Sequence, residues 1–215
     1  MIAIPDPDVV FTDLGLAVLG GYLGWRLRKN DDGDVRPVLI MWGLASAAAW
    51  GALFHTFFPA KTSTPAGFAV WLGVALSVVV VAATLLSVCL SLRAREIGPR
   101  GRRGIVLGYG AVFLAVVVFV DESFFTIIGF YAPVLLAAVA LAALEAVRAR
   151  SEAWALVTAG LALSAVAALL QASRVAIHPI YFDHNAVYHV LQAIALVLLY
   201  LGFHERRTDP AARAG

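Results

Sequence analysis

Cysteine is nearly absent: Cys89 is the single one in 215 residues, so no internal disulfide can staple the chain. Charge is scarce too. Asp, Glu, Lys and Arg make up 14% of the sequence, against about 25% in an ordinary soluble domain. The net charge is only +2, and the arginines sit in short stretches between apolar runs, which excludes a basic nucleic-acid-binding face. The opening "MIAIPDPD" is acidic. It lacks the basic start of a secretory signal, so the first apolar run reads as a retained membrane helix. There is no internal repeat and no low-complexity linker. One domain over residues 1–205 is therefore expected, followed by a flexible cytoplasmic tail over residues 206–215.

What is abundant is apolar sequence. Hydrophobic residues make up 61% of the chain, and the mean hydropathy is +0.87. Runs such as "AVWLGVALSVVVVAATLLSVCL" are long enough to cross a hydrocarbon core of roughly 30 Å. The sequence reads as an all-α integral membrane protein, and since its Ala-, Val-, Leu- and Arg-rich composition fits a high-GC bacterium, the bacterial plasma membrane is the expected location. Seven spans are expected, at Val9–Leu27, Pro37–Phe58, Gly67–Leu92, Ile105–Val120, Phe124–Val147, Ala153–Val175 and Asn185–Phe203. Only "VDESFF" separates the fourth from the fifth. Their joint length is about twice what one crossing needs.

The basic residues alternate between loops. Arg26, Arg28, Lys29 and Arg36 follow span one, and Arg93, Arg95, Arg100, Arg102 and Arg103 follow span three. Arg148 and Arg150 follow span five, and Arg206, Arg207 and Arg213 follow span seven. The other loops hold only Lys61 and Arg174. Basic loops stay cytoplasmic, so the amino terminus is expected outside and the carboxyl terminus inside. The pairs Gly20/Gly24 and Gly104/Gly108 have the spacing of close helix contacts. Trp25, Trp42, Trp71 and Tyr200 read as interfacial anchors or packing residues. His178 and His204 read as structural, and Glu145 and Glu152 as solvated cytoplasmic acids.

This orientation gathers polar residues in one outer layer. His55 ends span two, His184 and His189 open span seven, and Asp13 lies one turn into span one. Asp121 and Glu122 lie in the turn between spans four and five, and Asp183 just precedes span seven. An ionisable group at the bilayer centre costs roughly 2.5–3.5 kcal/mol on insertion scales, so such groups usually face a bundle interior and serve a function. Asn185, His189 and Gln192 fall at i, i+4 and i+7, one stripe of a helix, with Val187 and Ile194 on the opposite face. His184 is about 140° from His189 on an ideal helix, but at the helix start its backbone is free to turn inward, capped by Asp183 or Asn185. Three imidazoles, His55, His184 and His189, plus a water would form an open zinc site. Asp13, Asn185 and Gln192 are candidates to orient the ligands. Asp183, Asn185 or Asp13 could replace His184, or His55 and His189 could be a hydrogen-bonded pair with no metal.

Seven spans, "ALFHTFF" ending span two and "HNAVYHVLQ" opening span seven resemble the CREST superfamily of membrane hydrolases. That group includes the alkaline ceramidases, the progestin and adipoQ receptors and the hemolysin III-like proteins. The resemblance covers the whole chain in topology and two short motifs in sequence. It implies zinc held by His55 and His189, with His184 one residue ahead of the family's remaining histidine position, which falls on Asn185. The family serine falls on Gly51, and span three, where the family has an Asp, holds no acid. The expected function is a zinc-dependent hydrolase of a lipid amide or ester. A metal-bound water would be the nucleophile, Asp183, Asp121 or Glu122 the general base, and a bundle cavity would take the acyl chain of a membrane lipid. The alternative is a non-catalytic seven-span protein with a structural or sensory histidine or metal site. Transport fits less well, because transporters place polar residues at the midplane, in paired repeats.

Overall fold

The computed structural model describes residues 6–29, 33–58, 62–94, 96–178 and 182–208. Seven helices account for nearly all of them: α1 (Pro7–Lys29), α2 (Arg36–Phe57), α3 (Pro65–Arg93), α4 (Pro99–Phe119), α5 (Phe124–Ala149), α6 (Glu152–Ala172) and α7 (His184–Thr208). The starts follow local chemistry. Proline stands in the first turn of α2, α3 and α4, where its missing N–H costs nothing. Thr64, Ser123 and Ser151 accept hydrogen bonds from the N–H groups of Gly67, Thr126 and Trp154, as N-caps do. Inside the helices Thr56, Ser77, Thr84, Thr158 and Ser164 return their hydroxyls to carbonyls four residues back, so these hydroxyl hydrogens are not stranded in apolar surroundings.

Six helices, α2 through α7, are long and apolar enough to cross a membrane. Helix α1 falls outside that set, since it carries Asp8, Asp13 and a basic last turn. The expected boundaries mostly hold, with three corrections. α4 begins at Pro99, ahead of Ile105, and runs through Arg100, Arg102 and Arg103, because a proline start fixes the first turn whatever the charge that follows. α6 stops at Ala172, short of Val175, and Arg174 has φ +54°. α7 continues past Phe203 to Thr208, so the first residues of the expected tail are helical. Residues 209–215 lie outside the described ones.

The helices close into a ring. α1 packs on α2 and α7, α2 on α3, α3 on α5, α5 on α6, and α6 on α7. α4 lies outside this ring against α3, held by buried Phe113 and Val117, with Phe113 stacked on Phe130 at 4.7 Å. The main core of the ring includes Leu27, Met41, Leu85, Leu135, Leu196 and Leu199. Gly20 and Gly24 do serve close approach: a Cβ on Gly20 would lie 3.1 Å from Ala45, and one on Gly24 would lie 2.4 Å from the Trp42 ring. Gly104 and Gly108 do not, since nothing lies within 4 Å of either position. Their face of α4 has no helix beside it.

The basic end of the bundle is tied together. Arg207, 4% exposed, donates to the carbonyls of Leu27 and Asp34, and Arg206 lies over the Trp154 ring at 4.0 Å. Glu145, expected to be solvated, is 8% exposed and pairs with Arg93 at 2.8 Å. Its position on α5 turns it toward α3, where an unpaired carboxylate would be costly.

Candidate functional site

A cavity of about 360 Å³ lies at the opposite end of the ring, lined by residues of α1, α2, α3, α5, α6 and α7. Its apolar wall includes Leu44, Val74, Val78, Ile127 and Ile128, and its polar wall includes Asp13, His55, His184, Asn185, His189 and Gln192. Mostly apolar lining with a few convergent polar groups is the usual composition of a ligand pocket.

Among the buried polar groups is a pair from two helices. Asp13 on α1 is 3% exposed and His189 on α7 is 8% exposed, and Asp13 Oδ1 lies 3.1 Å from His189 Nε2. On the other side of the ring, His189 Nδ1 lies 3.0 Å from Thr12 Oγ1. Thr12 donates its one hydroxyl hydrogen to helix carbonyls, that of Asp8 at 2.8 Å or Val9 at 3.0 Å. In the tautomer with a proton on Nδ1, Thr12 accepts from His189. The Nε2–Oδ1 contact then needs one further proton, held by the imidazole or by the carboxyl. Either way the pair is neutral overall, the form that buried ionisable groups favour. Asp13 Oδ2 is buried without a hydrogen-bond partner. Gly51 of α2 stands against it, and a Cβ there would lie 2.9 Å from Oδ2.

Other expected residues are placed as follows. The stripe Asn185, His189 and Gln192 faces the cavity, while Val190, Ile194 and Val197 are exposed and Val187 is half-buried. Gln171 donates to Asn185 at 2.8 Å, and Gln192 to Ser164 at 3.1 Å. Asp183 caps α7: its Oδ1 accepts from the N–H groups of Asn185 and Ala186, and its Oδ2 from the Asn185 amide at 3.1 Å. A carboxylate so engaged is a poor general base. Asp121 and Glu122 are exposed and do not line the cavity. Hydrogen bonds from Thr126 and Ser123 hold the Asp121 carboxyl below its ordinary range, the reverse of what a base at neutral pH needs. The acid at the cavity is Asp13, expected to orient a ligand or to replace His184. His178 forms a bridge with Phe182, and His204 stacks on Tyr200.

The three expected zinc ligands each have a carboxylate neighbour: Asp6 at 3.8 Å from His55, Asp183 at 3.6 Å from His184, and Asp13 at 3.1 Å from His189. Among the described residues no group of three or more His, Cys, Asp or Glu side chains is placed to hold a metal ion. The donor types suit zinc, but with both nitrogens of His189 engaged the set does not fit the ion as arranged. Sequence reasoning missed Thr12 and Tyr188, whose ring meets His189 edge-on at 5.3 Å. Their signal was only adjacency, to Asp13 and to His189.

A ring of apolar helices around an internal polar pair and an apolar cavity defines a helical bundle of the integral-membrane class. The chain belongs to the family of unknown function DUF6962, which it matches over residues 9–208. No curated protein and no solved structure matches it.

Proposed function

We propose that the protein is a seven-span membrane hydrolase that takes the acyl chain of a lipid ester or amide into the outer cavity and cleaves it beside Asp13 and His189. The observation that carries this is the buried, unpartnered Asp13 Oδ2 on the wall of a mostly apolar cavity. The motifs resembling CREST hydrolases support the reaction class. In this reading the shared proton rests on His189, and a water on Oδ2 gives its proton to the Asp13 carboxylate as its oxygen bonds to the acyl carbon. The proton already held between Asp13 and His189 goes to the leaving oxygen or nitrogen as the C–O or C–N bond breaks. The products are a fatty acid and an alcohol or amine, and protons balance. No step is routed through zinc.

Helix α1 is the seventh span in this reading. It is 23 residues long, and Phe11, Leu14, Val18, Tyr22 and Trp25 form an exposed apolar stripe along it, suited to lipid. Its acids are accommodated near one end, Asp13 against His189. The arginine-rich ends then lie in the cytoplasm of a bacterial cell and the cavity on the outer side.

A non-catalytic reading has one observation in its favour: His189 and Asp183 already have structural partners. The two separate in one assay. Purified protein in vesicles containing a monoacylglycerol or an N-acyl amine should release free fatty acid, with and without chelator. Release that stops with chelator would restore the zinc mechanism, and no release from either lipid would favour the non-catalytic reading.

A further inference from the structure

Buried polar atoms are nearly always hydrogen-bonded. An orphaned oxygen on a cavity wall is therefore a place for a ligand atom. Asp13 is 3% exposed, lines the cavity and leaves Oδ2 without a partner. Gly51 frames that oxygen. Any Cβ there would stand 2.9 Å from Oδ2 and 3.3 Å from Oδ1, so a larger residue would push the carboxylate aside or fill the space before it. Glycine in mid-helix weakens a helix, and here its absent side chain leaves room for the carboxylate.

We propose that Asp13 Oδ2, framed by Gly51, docks a neutral hydrogen-bond donor, a hydroxyl or an amide N–H, at the head of a single-chain amphiphile. This rests on the reading of the cavity as the substrate site. Three observations set the class. Oδ2 accepts whether the shared proton lies on Asp13 Oδ1 or on His189. The pair is neutral overall, and Arg174 lines the same cavity, so nothing there favours an ammonium. A large part of the remaining wall, including Val74, Val78, Ile127 and Ile128, is apolar. A space of about 360 Å³ is of the size of small-molecule pockets, enough for a head group and a single chain.

The test is photolabelling of the full-length protein in lipid nanodiscs with a diazirine-bearing ten-carbon primary alcohol. Competitors are 1-decanol, decanamide, decyl methyl ether and decylammonium, at equal mole fraction in the bilayer. The label should fall on the cavity segments of α3 and α5. The alcohol or the amide should compete at least about tenfold better than the ether, the factor one hydrogen bond supplies. Which of the two competes better tells hydroxyl from amide. Gly51→Ala should lower labelling by a similar factor, and Gly104→Ala, where nothing lies within 4 Å, should not. Equal competition by the ether, best competition by decylammonium, or full labelling of Gly51→Ala would overturn the proposal. The wild-type competition stands whether or not the variant folds. The alcohol and ether contain no acyl bond, so donor preference without hydrolysis fails only the hydrolase reading, and hydrolysis without donor preference fails only this one.

Discussion

At the scale of single residues, the site turns on hydrogen counting. With the hydroxyl hydrogen of Thr12 on its own helix, His189 donates to Thr12 from Nδ1 and Asp13 shares a proton with the other ring nitrogen. Thr12→Val leaves a buried ring N–H unpaired, which costs about 1–3 kcal/mol. The expected outcome is a lower thermal midpoint in detergent, restored by Thr12→Ser; an unchanged midpoint for the valine variant would remove Thr12 from the site. Much of this layer was legible in advance. Asn185, His189 and Gln192 share a helical stripe, and that periodicity brings them to one cavity. The choice between Asp13 and Asp183 was not legible. Both are short acids near helix starts, and only the fold shows that Asp183 is consumed as a cap while Asp13 keeps a free oxygen.

At the scale of elements, the two glycine pairs have the same spacing and opposite fates. Gly24 abuts the Trp42 ring, whereas Gly108 faces open space. Gly24→Ala should destabilise by about 1–3 kcal/mol through overpacking. Gly108→Ala should be neutral or stabilise by about 0.5–1 kcal/mol through helix propensity. Thermal unfolding of both variants checks the assignment of α1 to the ring and α4 to its outside; equal effects would contradict it. Spacing could not tell the pairs apart, because it marks a face and not what meets that face. Beyond the basic end of α1, Asp34 is bound by Arg36 at 2.7 Å. Burial pulls the Asp34 carboxyl upward, but hydrogen bonds and charge from Arg36 outweigh it and hold it below its ordinary value of 3.8. A depressed folded value means that this stability is present above about pH 4 and is lost as pH falls through the folded value. The stability difference between wild type and Asp34→Asn should therefore shrink on acidification below pH 4, and a difference that grows there would contradict the pairing.

At the scale of the whole molecule, a ring of helices puts a basic, tightly tied end opposite a polar cavity. Helix number and most boundaries could be read from hydropathy, because the apolar runs are long and the breaks between them carry charge or proline. The closure of the ring by α1 against α7, which creates the Asp13–His189 contact, joins residues 176 positions apart and leaves no trace in local pattern. Carboxyl-terminal reporter fusions should be active in the cytoplasm; activity only on the outer side would invert the molecule and put the cavity inside. The central claim is that Asp13 and His189 act on an acyl bond in that cavity. The most direct measurement is the rate of fatty-acid release in vesicles by wild type, Asp13→Asn and His189→Gln, each checked for helical content and thermal midpoint. Loss of a general acid–base pair predicts a fall of about 10²–10⁴-fold in both variants with the fold retained. Folded variants that release fatty acid at the wild-type rate would contradict the account.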